Sequence, residues 1–318
     1  MASPHDQSDR PAEQAVAPAD DGSASAAPHS AEFVARWRDV VARTLRLPVE
    51  HGCIRMRGLL GGTTLSYLPF LNYTDLTPQG AAALVRELGS RPYHVRVLDP
   101  AGTAFAHDDP VTLRLDLAGR DADAVWRRGL DAKCRNQVRK AQRSGLTLRR
   151  GGEPALADAF HALLASTLHR HGAPLLPRRL LYALASELGA RFCIASRAGT
   201  PIAGLVEIHD RDLVWVPWAA SERSALDLCP NHLTYWTTIE DAVGAGRRVF
   251  DFGRSPFGGA THRFKEQWGA RPVALRLLSS QPADVYARYA LAQRVWRGLP
   301  RPVVDRLGPW LCRHLPDY

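Results

Sequence analysis

Lysine is scarce in this 318-residue chain, since its 41 basic residues include only Lys133, Lys140 and Lys265. Long apolar runs are missing too: no stretch of about 18 apolar residues occurs, so a membrane-spanning helix is not expected. The 45% hydrophobic and 23% charged residues are ordinary for a globular protein and exclude a wholly disordered or collagen-like chain. The formal net charge of +9 is carried almost entirely by arginine, which a biased genome composition explains most simply.

Paired cysteines and a leader segment are also missing. The five cysteines are widely spaced and include no C-x-x-C pair, which argues against both a zinc site and a disulfide framework. We expect buried thiols in a reducing compartment and no metal site. The N-terminus has no basic start followed by an apolar stretch, so a signal peptide is not expected and the cytoplasm is the predicted location.

The chain length predicts two domains flanked by two tails. Residues 1–30 contain eight alanines, five serines and four prolines, too little apolar surface to fold, so they are predicted to be disordered. The two domains are expected at 31–145 and 146–280. A basic tail containing tryptophan follows at 281–318, with helices broken at prolines 300, 302 and 309.

Helical and strand-like patterns alternate between the tails. Hydrophobic periodicity predicts helices over 33–45, 78–88, 123–143 and 156–170, and strands over 63–67, 93–98 and 111–117. From residue 191 onward it predicts strands over 192–196, 202–209, 213–219, 249–252 and 272–278. Between these strands we expect a helix from Asn231, as its N-cap, to about residue 243 and a short helix around Phe264. This order predicts an α/β or α+β layered fold whose halves could share one element order, although no internal sequence repeat is visible.

The predicted helix over 123–143 has one apolar stripe and is otherwise strongly basic. The stripe contains Trp126, Leu130, Cys134, Val138 and Ala141. Like charges one turn apart repel, so the basic faces indicate a nucleotide, a lipid phosphate or RNA as partner. The other interpretation is a solvated face balanced by acids elsewhere in the fold. Since interleaved aromatics are missing, RNA is the weaker option and sequence-specific nucleic-acid binding is not expected.

A second segment combines an acid, glycines and the third lysine. Phe250 and Phe252 share one face of the predicted strand, which leaves Asp251 on the other face. The following glycines would let backbone amides approach a ligand, where Asp251, Arg254, Ser255 and Lys265 could converge. The alternative is a structural ion pair between Asp251 and Arg254 beside a buried Trp268. Tyr67, Asn72 and Tyr73 lie in a loop around Pro69 that could line a cleft.

Five short motifs occur in one order across about 200 residues: Leu68-Pro69-Phe70-Leu71-Asn72-Tyr73, the 133–145 helix, Arg170-His171-Gly172-Ala173-Pro174, the 250–255 segment, and Phe264-Lys265 with Trp268-Gly269. Together they resemble the FemAB-like acetyltransferases of the GNAT superfamily. They are most similar to the branch associated with exosortase and exopolysaccharide gene clusters. The resemblance implies two tandem GNAT-type domains and transfer of an acyl or aminoacyl group to an amine.

The resemblance also implies roles for individual residues. It places Lys265 in the transfer site near the reacting carbonyl, with Asp251, Arg254 and Ser255 lining the same cleft. Asp251 is the first acid–base candidate, and Tyr73 is a further candidate for substrate binding. On the basic helix, the residues implied to face the acceptor or its phosphates are Arg135, Asn136, Arg139 and Lys140. Such a reaction needs a neutral amine, stabilisation of the developing oxyanion, and close positioning of two substrates.

The sequence departs from the family pattern in three places. The opening hairpin expected of the first domain is reduced or absent between residues 41 and 65. The 224–231 stretch, where acyl-CoA enzymes carry a glycine-rich pyrophosphate loop, contains Pro230 and no glycine. No heptads indicate the coiled-coil arm of the peptidoglycan enzymes. The donor therefore stays open between acyl-CoA and aminoacyl-tRNA.

These features predict a Fem-like N-acyltransferase that modifies an amine of a cell-envelope or exopolysaccharide precursor, with an anionic or lipid-linked substrate. The competing prediction is a non-catalytic double-GNAT protein that binds an anionic glycan-lipid or an export partner. The 281–318 tail either packs on its own domain or contacts an anionic membrane at the inner face. In the second case, the contacting residues would be Arg294, Trp296, Arg297, Arg301 and Trp310.

Overall fold

A computed structural model of the chain describes residues 14–15, 28–59, 61–280 and 285–315. Within these residues, eleven strands form one large sheet, and a separate two-residue ladder joins Gln14–Ala15 to Ala104–Phe105. The strands of the large sheet are β1 (Val49–Glu50), β2 (Cys53–Arg57), β3 (Thr63–Tyr67), β4 (Tyr93–Asp99), β5 (Pro110–Asp116), β6 (Thr147–Gly151), β7 (Arg191–Arg197), β8 (Thr200–Asp210), β9 (Leu213–Ser221), β10 (Val249–Pro256) and β11 (Arg271–Ser279).

Nine longer helices accompany the sheet in the described part of the chain. They are α1 (Ala31–Leu45), α2 (Pro78–Leu88), α3 (Ala132–Gln142), α4 (Pro154–His171), α5 (Arg178–Leu188), α6 (Pro230–Gly244), α7 (Ala260–Glu266), α8 (Val285–Gly298) and α9 (Arg301–Leu311). Local sequence sets several helix ends. The Thr77 hydroxyl accepts from the Gly80 amide to begin α2, and Gly172 ends α4 in the left-handed conformation.

The sheet is built from two similar halves that exchange their last strands. Its order is β1-β2-β3-β4-β11-β5-β10-β9-β8-β7-β6. In each half, three antiparallel strands lead through a helix to a strand parallel to the third, giving the parallel pairs β3–β4 and β9–β10. β11, from the second half, then pairs with β4, and β5, from the first half, pairs with β10. The halves therefore share a continuous sheet and the element order that the sequence allowed.

Helices cover both faces of the second half. Along β9, Trp215 joins the core formed with α1, α4 and α5, whereas its neighbours Val214 and Val216 join the core formed with α3 and α6. This alternation follows from the two-residue period of a strand. Two buried layers result, and strand residues that face either layer are shielded from water.

Most of the predicted elements are present, and the helices 78–88 and 33–45 and the strand 63–67 have nearly the expected bounds. The layered α/β fold is confirmed. Three strands of the large sheet and a helix were not predicted: β1, β2, β6 and α5. The opening hairpin is present in a short form, because β1 has two residues and pairs with β2.

The predicted single helix over 123–143 is wrong. A short turn over Ala122–Ala124 continues into a wider π-type turn over Val125–Gly129, and Leu130 is extended. α3 then starts afresh, with the Asp131 carboxylate accepting from the Cys134 amide at 2.6 Å. A Cβ on Gly269 would lie 2.5 Å from the Gly129 carbonyl oxygen, so the two chain segments are in close backbone contact at the break.

The N-cap prediction for α6 is also wrong. Cys229, in the left-handed conformation, precedes Pro230, and no side chain caps the helix within the described residues. Asn231 lies inside the first turn, where its amide nitrogen donates to the Ser221 hydroxyl at 3.2 Å. Pro230 is favourable at that position because its fixed φ suits the first turn and it needs no hydrogen-bond acceptor.

The two tails differ from their predictions in part. Residues 1–13 and 16–27 of the predicted disordered tail lie outside the described residues. His29 and Ser30, however, are buried, and the Ser30 hydroxyl caps α1. At the other end, Pro300 separates α8 from α9, but Pro302 and Pro309 lie within α9.

All five cysteines are buried and unpaired, as predicted. None of the described helices is both long enough and apolar enough to cross a membrane.

Candidate active site

A buried hydrogen-bond network surrounds Asp251 on β10. One carboxylate oxygen accepts from the Tyr73 hydroxyl at 2.7 Å and from Nε of Arg114 at 2.9 Å. The other oxygen accepts from the Thr112 hydroxyl at 2.5 Å and from the Gly253 amide at 2.7 Å. Tyr73, Thr112 and Arg114 are themselves fully buried or nearly so. The network therefore ties the loop after β3 to β5 and to β10.

The charges in this network are fixed. Burial by itself raises the pKa of Asp251, but the Arg114 guanidinium and the three hydrogen-bonding side chains outweigh it and hold that pKa below its usual value. Burial also raises the pKa of Tyr73 well above its ordinary value. Asp251 is consequently an anion and Tyr73 a neutral donor, and the carboxylate is engaged on both oxygens. This geometry favours a positioning role for Asp251 over proton transfer.

Lys265, on α7, reaches the same strand from the other side of Gly253. Its Nζ donates to the carbonyl oxygens of Gly253 at 2.8 Å and Arg254 at 3.0 Å. Burial lowers the pKa of Lys265 to about 7, and the charge of Arg254 acts in the same direction while that of Asp251 opposes it. An amine held by two neutral carbonyls, with a pKa near neutrality, can gain or lose a proton under physiological conditions.

Gly253 makes this arrangement possible. The ladder between β10 and β5 is interrupted between Asp251 and Arg254, where Gly253 has a φ of +77°. A Cβ at this position would lie 2.6 Å from the Val216 carbonyl oxygen. Glycine is therefore required both by the backbone conformation and by the close approach of β9.

The residues that follow in β10 line the same region. With its amide oriented to satisfy both partners, the Asn72 oxygen accepts from the Arg254 amide at 2.9 Å and from the indole nitrogen of Trp215 at 3.1 Å. The Ser255 hydroxyl is buried and has no hydrogen-bond partner within the described residues. The alternative ion pair between Asp251 and Arg254 is wrong, because Asp251 pairs with Arg114 instead.

Three members of this centre escaped the sequence analysis: Thr112, Arg114 and His29. His29 stacks on Tyr73 with ring centroids 4.7 Å apart, and its Nδ1 lies 3.1 Å from the Asp210 carboxylate. Of the three, only Arg114 could have been found from the sequence. It shares a strand face with Thr112, opposite the face that carries Leu113 and Leu115. A charged side chain at such a position normally has a buried partner.

The four residues predicted on the basic helix are divided between two roles. Arg135 donates to the Leu130 carbonyl oxygen and is half-buried, so it secures the turn before α3. The guanidinium of Arg139 lies over the Trp126 ring, 5.3 Å from its centroid, and is also 3.4 Å from the side-chain oxygen of Asn136. Asn136, Arg139 and Lys140 are exposed.

α3 lies beside the N-terminus of α6. The charge of Lys140 reaches Cys229, where it opposes the rise that burial causes in the pKa of that thiol. Burial lowers the pKa of His232 to about 4, and the charge of Lys133 acts in the same direction. The start of α3 also contacts the segment after α7, since the Asp131 amide donates to the Gln267 carbonyl oxygen at 2.9 Å. Two lysines thus flank an uncapped, electropositive helix terminus.

The predicted site residues therefore form two groups. Tyr73, Asp251, Arg254, Ser255 and Lys265 converge around the β10 bulge, whereas Arg135, Asn136, Arg139 and Lys140 lie on α3 beside α6. In the described part of the chain, no group of three or more histidine, cysteine, aspartate or glutamate side chains could hold a metal ion.

Part of the chain is similar to a known protein family. Residues 128–266 match the family described as Acetyltransferase (GNAT) domain. The crystal structure of FemX superposes with a TM-score of 0.54 at 12% identity, covering 82% of this chain and 97% of FemX. The C-terminal domain of a protein described as a lysylphosphatidylglycerol synthetase, from Agrobacterium fabrum, gives 0.53 at 14% identity, covering 83% of this chain and 96% of that domain. A search among curated protein sequences found no match.

At these identities the two structures show the fold alone, which in this chain is one sheet built from two similar halves. The segment similar to this family covers α3, the second half-sheet up to β10, and α7. Both groups of predicted site residues lie within this range except Tyr73, which the loop after β3 contributes from the first half.

Proposed function

We propose that this chain transfers an acyl or aminoacyl group to an amine of a cell-envelope or exopolysaccharide precursor. Its similarity to the GNAT acetyltransferase domain supports an acyltransferase. The observation that carries the proposal is the buried amine of Lys265, held by the Gly253 and Arg254 carbonyls beside the Asp251 network. The likeness to FemX and to a lysylphosphatidylglycerol synthetase supports an aminoacyl donor and an envelope acceptor. The name of the second protein describes the attachment of an amino acid to a membrane lipid.

In this proposal Lys265 handles the proton of the acceptor amine. The amine nitrogen attacks the acyl carbon, forms the new C–N bond and loses a proton to neutral Lys265. The tetrahedral intermediate then collapses, the bond to the donor sulfur or oxygen breaks, and Lys265 returns the proton to that leaving atom. A group with a pKa of about 7 suits both steps, since it accepts and releases a proton at similar cost.

The Asp251 network acts on the same reaction by positioning. It holds the amide of Gly253 on one side of the bulge, while Lys265 binds the carbonyl of Gly253 on the other. Asp251 therefore fixes the backbone that orients the amine, without touching the reacting atoms. Arg114 balances its charge.

The donor is assigned as a phosphate-bearing molecule. Acyl-CoA, which GNAT domains use, and aminoacyl-tRNA both carry phosphates. The uncapped N-terminus of α6, with Lys133 and Lys140 beside it, supplies amides and positive charge for such a group without a glycine-rich loop. The same surface could instead take the phosphates of the acceptor.

The first experiment follows the thermal midpoint of the purified chain with CoA, a panel of acyl-CoAs and a charged tRNA. A donor at about 100 times its Kd stabilises the fold by roughly 2.7 kcal/mol, which a melting curve resolves. The donor that shifts the midpoint is then used for turnover with amine acceptors. Binding without turnover by any acceptor would favour the non-catalytic double-GNAT protein instead.

Substitution of Lys265 tests whether catalysis needs a group that transfers protons or only a positive charge. Lys265→Arg keeps a cation that cannot release its proton, and Lys265→Met removes the charge, so both should lower kcat by about 100-fold or more. In the wild type, kcat/KM should rise with pH and level off above about 7, because Lys265 must be neutral to act. Arg86→Met, which removes an exposed cation from α2, serves as the control. Full activity of Lys265→Arg, or a rate that falls as pH rises through 7, would contradict the assignment.

A further inference from the structure

Exposed apolar side chains are concentrated at the C-terminus. Among the described residues, eight large apolar side chains are exposed, and five of them lie on α8 and α9. They are Leu291, Val295, Val303, Leu307 and Trp310, with exposed fractions from 40% to 70%. A monomeric domain rarely leaves such a group uncovered without a partner surface.

α9 has two distinct apolar faces. Val304 and Gly308 face the domain, and a Cβ on Gly308 would lie 2.5 Å from the Leu175 amide nitrogen. On the outward side, Val303, Leu307 and Trp310 follow at intervals of four and three residues, which places them on a single stripe. The inward face already accounts for helix packing, so the outward stripe is not needed to hold α9 in place.

The flanking charges are almost all positive. Residues 285–315 contain six arginines and one acidic residue, Asp305. Asp305 is already paired with Arg301 at 2.8 Å. Arg294, Arg297 and Arg306 are exposed. The apolar stripe and the arginines beside it therefore complement a partner with an apolar layer next to a negatively charged layer.

Both helices are anchored to the body of the protein. The indole nitrogen of Trp296 donates to the Ala173 carbonyl oxygen at 3.1 Å, so this tryptophan packs on the domain and does not face a membrane, as the membrane alternative would require. Beyond α9, Nδ1 of His314 lies 2.6 Å from the Arg57 carbonyl oxygen. The exposed stripe is consequently held rigidly, which reduces the entropy that docking would cost.

We propose that α8 and α9 form a docking surface for a bilayer containing anionic lipid, with α9 lying in the headgroup plane and its Val303–Leu307–Trp310 stripe inserted. An apolar stripe with an exposed tryptophan and flanked by arginines has the composition of interfacial helices. A protein partner would bury the stripe equally well but would not by itself account for so one-sided a charge. The inference concerns location and is independent of the proposed reaction.

The test is co-sedimentation of the full chain with vesicles. Vesicles of phosphatidylcholine with about 30% phosphatidylglycerol should bind the protein, and pure phosphatidylcholine vesicles should bind it at least about tenfold more weakly. Leu307→Asn combined with Trp310→Ala should weaken binding by about tenfold or more, because it removes inserted apolar area. Arg294→Glu combined with Arg306→Glu should do the same while leaving the stripe intact.

Leu226→Asn is the matched control, since Leu226 is 47% exposed on the turn before α6. It should bind vesicles like the wild type, and the melting temperature of every variant confirms that it is folded. Absence of vesicle binding, or equal loss in the Leu226 variant, would overturn the proposal. So would a dimer in sedimentation velocity that only the stripe variant dissociates, because the stripe would then meet a second copy of the chain. None of these readouts depends on acyl transfer, so the two proposals fail separately.

Discussion

Asp251 and Lys265 act on the same glycine from opposite sides, and their environments give them opposite electrostatic properties. Asp251 has a cation, Arg114, and two hydroxyl donors around it, so its charge is stabilised despite burial. Among the described residues, Lys265 has only neutral carbonyls within hydrogen-bonding distance, so burial dominates and its charge is destabilised. One residue is therefore suited to holding structure and the other to moving protons.

Asp251→Asn tests the structural half of this division. The variant keeps the side-chain shape but leaves the Arg114 charge buried without a counterion, which should cost about 3–5 kcal/mol of unfolding free energy at pH 7. Because the folded pKa of Asp251 is lowered, its stabilisation is present at neutral pH and is lost as the pH falls below about 4. Urea denaturation at pH 7 measures the difference. Asp123→Asn breaks an exposed ion pair with Arg127 and should change stability by under about 1 kcal/mol. A loss at Asp251 no larger than this control would contradict the network's role.

At this scale the sequence predicted the strand face of a side chain better than it predicted the partner of that side chain. The alternation Phe250, Asp251, Phe252 correctly placed the carboxylate on the face opposite the two rings. Its partner, however, is Arg114, 137 residues away, and not the neighbouring Arg254. Pairing across a sheet depends on strand order, which a local pattern does not contain.

Among the helices, α3 differs most from its sequence prediction. Apolar residues continue at helical spacing from Trp126 to Ala141, so periodicity alone gives one helix. At the break Gly129 packs against the Trp268–Gly269 backbone, a tertiary contact that periodicity does not contain. The local signal was Asp131, whose carboxylate caps the new helix. As a result, α3 is aligned beside α6 with its basic residues outward.

Removing the exposed cations of α3 tests whether this surface binds phosphate. Arg139→Ala combined with Lys140→Ala should raise KM for the phosphate-bearing substrate at least about tenfold, because charge-assisted contacts are lost, and should leave kcat nearly unchanged. Steady-state kinetics at low and physiological salt measures both. Arg86→Ala on α2 removes an exposed cation elsewhere and should leave KM unaltered. An unchanged KM in the double variant would show that the surface is merely solvated.

Other elements were predictable to different extents. The strand over 63–67 and the helix over 78–88 carry complete local signals, including Pro78 in the first turn of α2 and Gly89 after its end. α5 carries few: it follows Pro177, has no side-chain cap and lies close to the end of α4. Elements with their own start and stop residues were therefore found, and those defined by packing were not.

On the scale of the whole molecule, the exchange of β5 and β11 makes the two halves interdependent. Each half contributes the strand that completes the other, and the buried network joins Tyr73 and Arg114 from the first half to Asp251 from the second. The sequence predicted two halves with one element order, but strand exchange needs long-range pairing and had no local signature. The 31–145 and 146–280 boundaries stay a prediction.

The shortage of lysine in the whole chain makes the central claim directly measurable. With lysine labelled by carbon-13 at Cε, NMR of the intact protein contains three side-chain signals, from Lys133, Lys140 and Lys265. The account predicts that one of them, absent in Lys265→Met, titrates with a pKa of about 7. If no lysine signal titrates below about 10, the ordinary range for a solvated ammonium group, Lys265 is a permanent cation and cannot serve as the proton acceptor in acyl transfer.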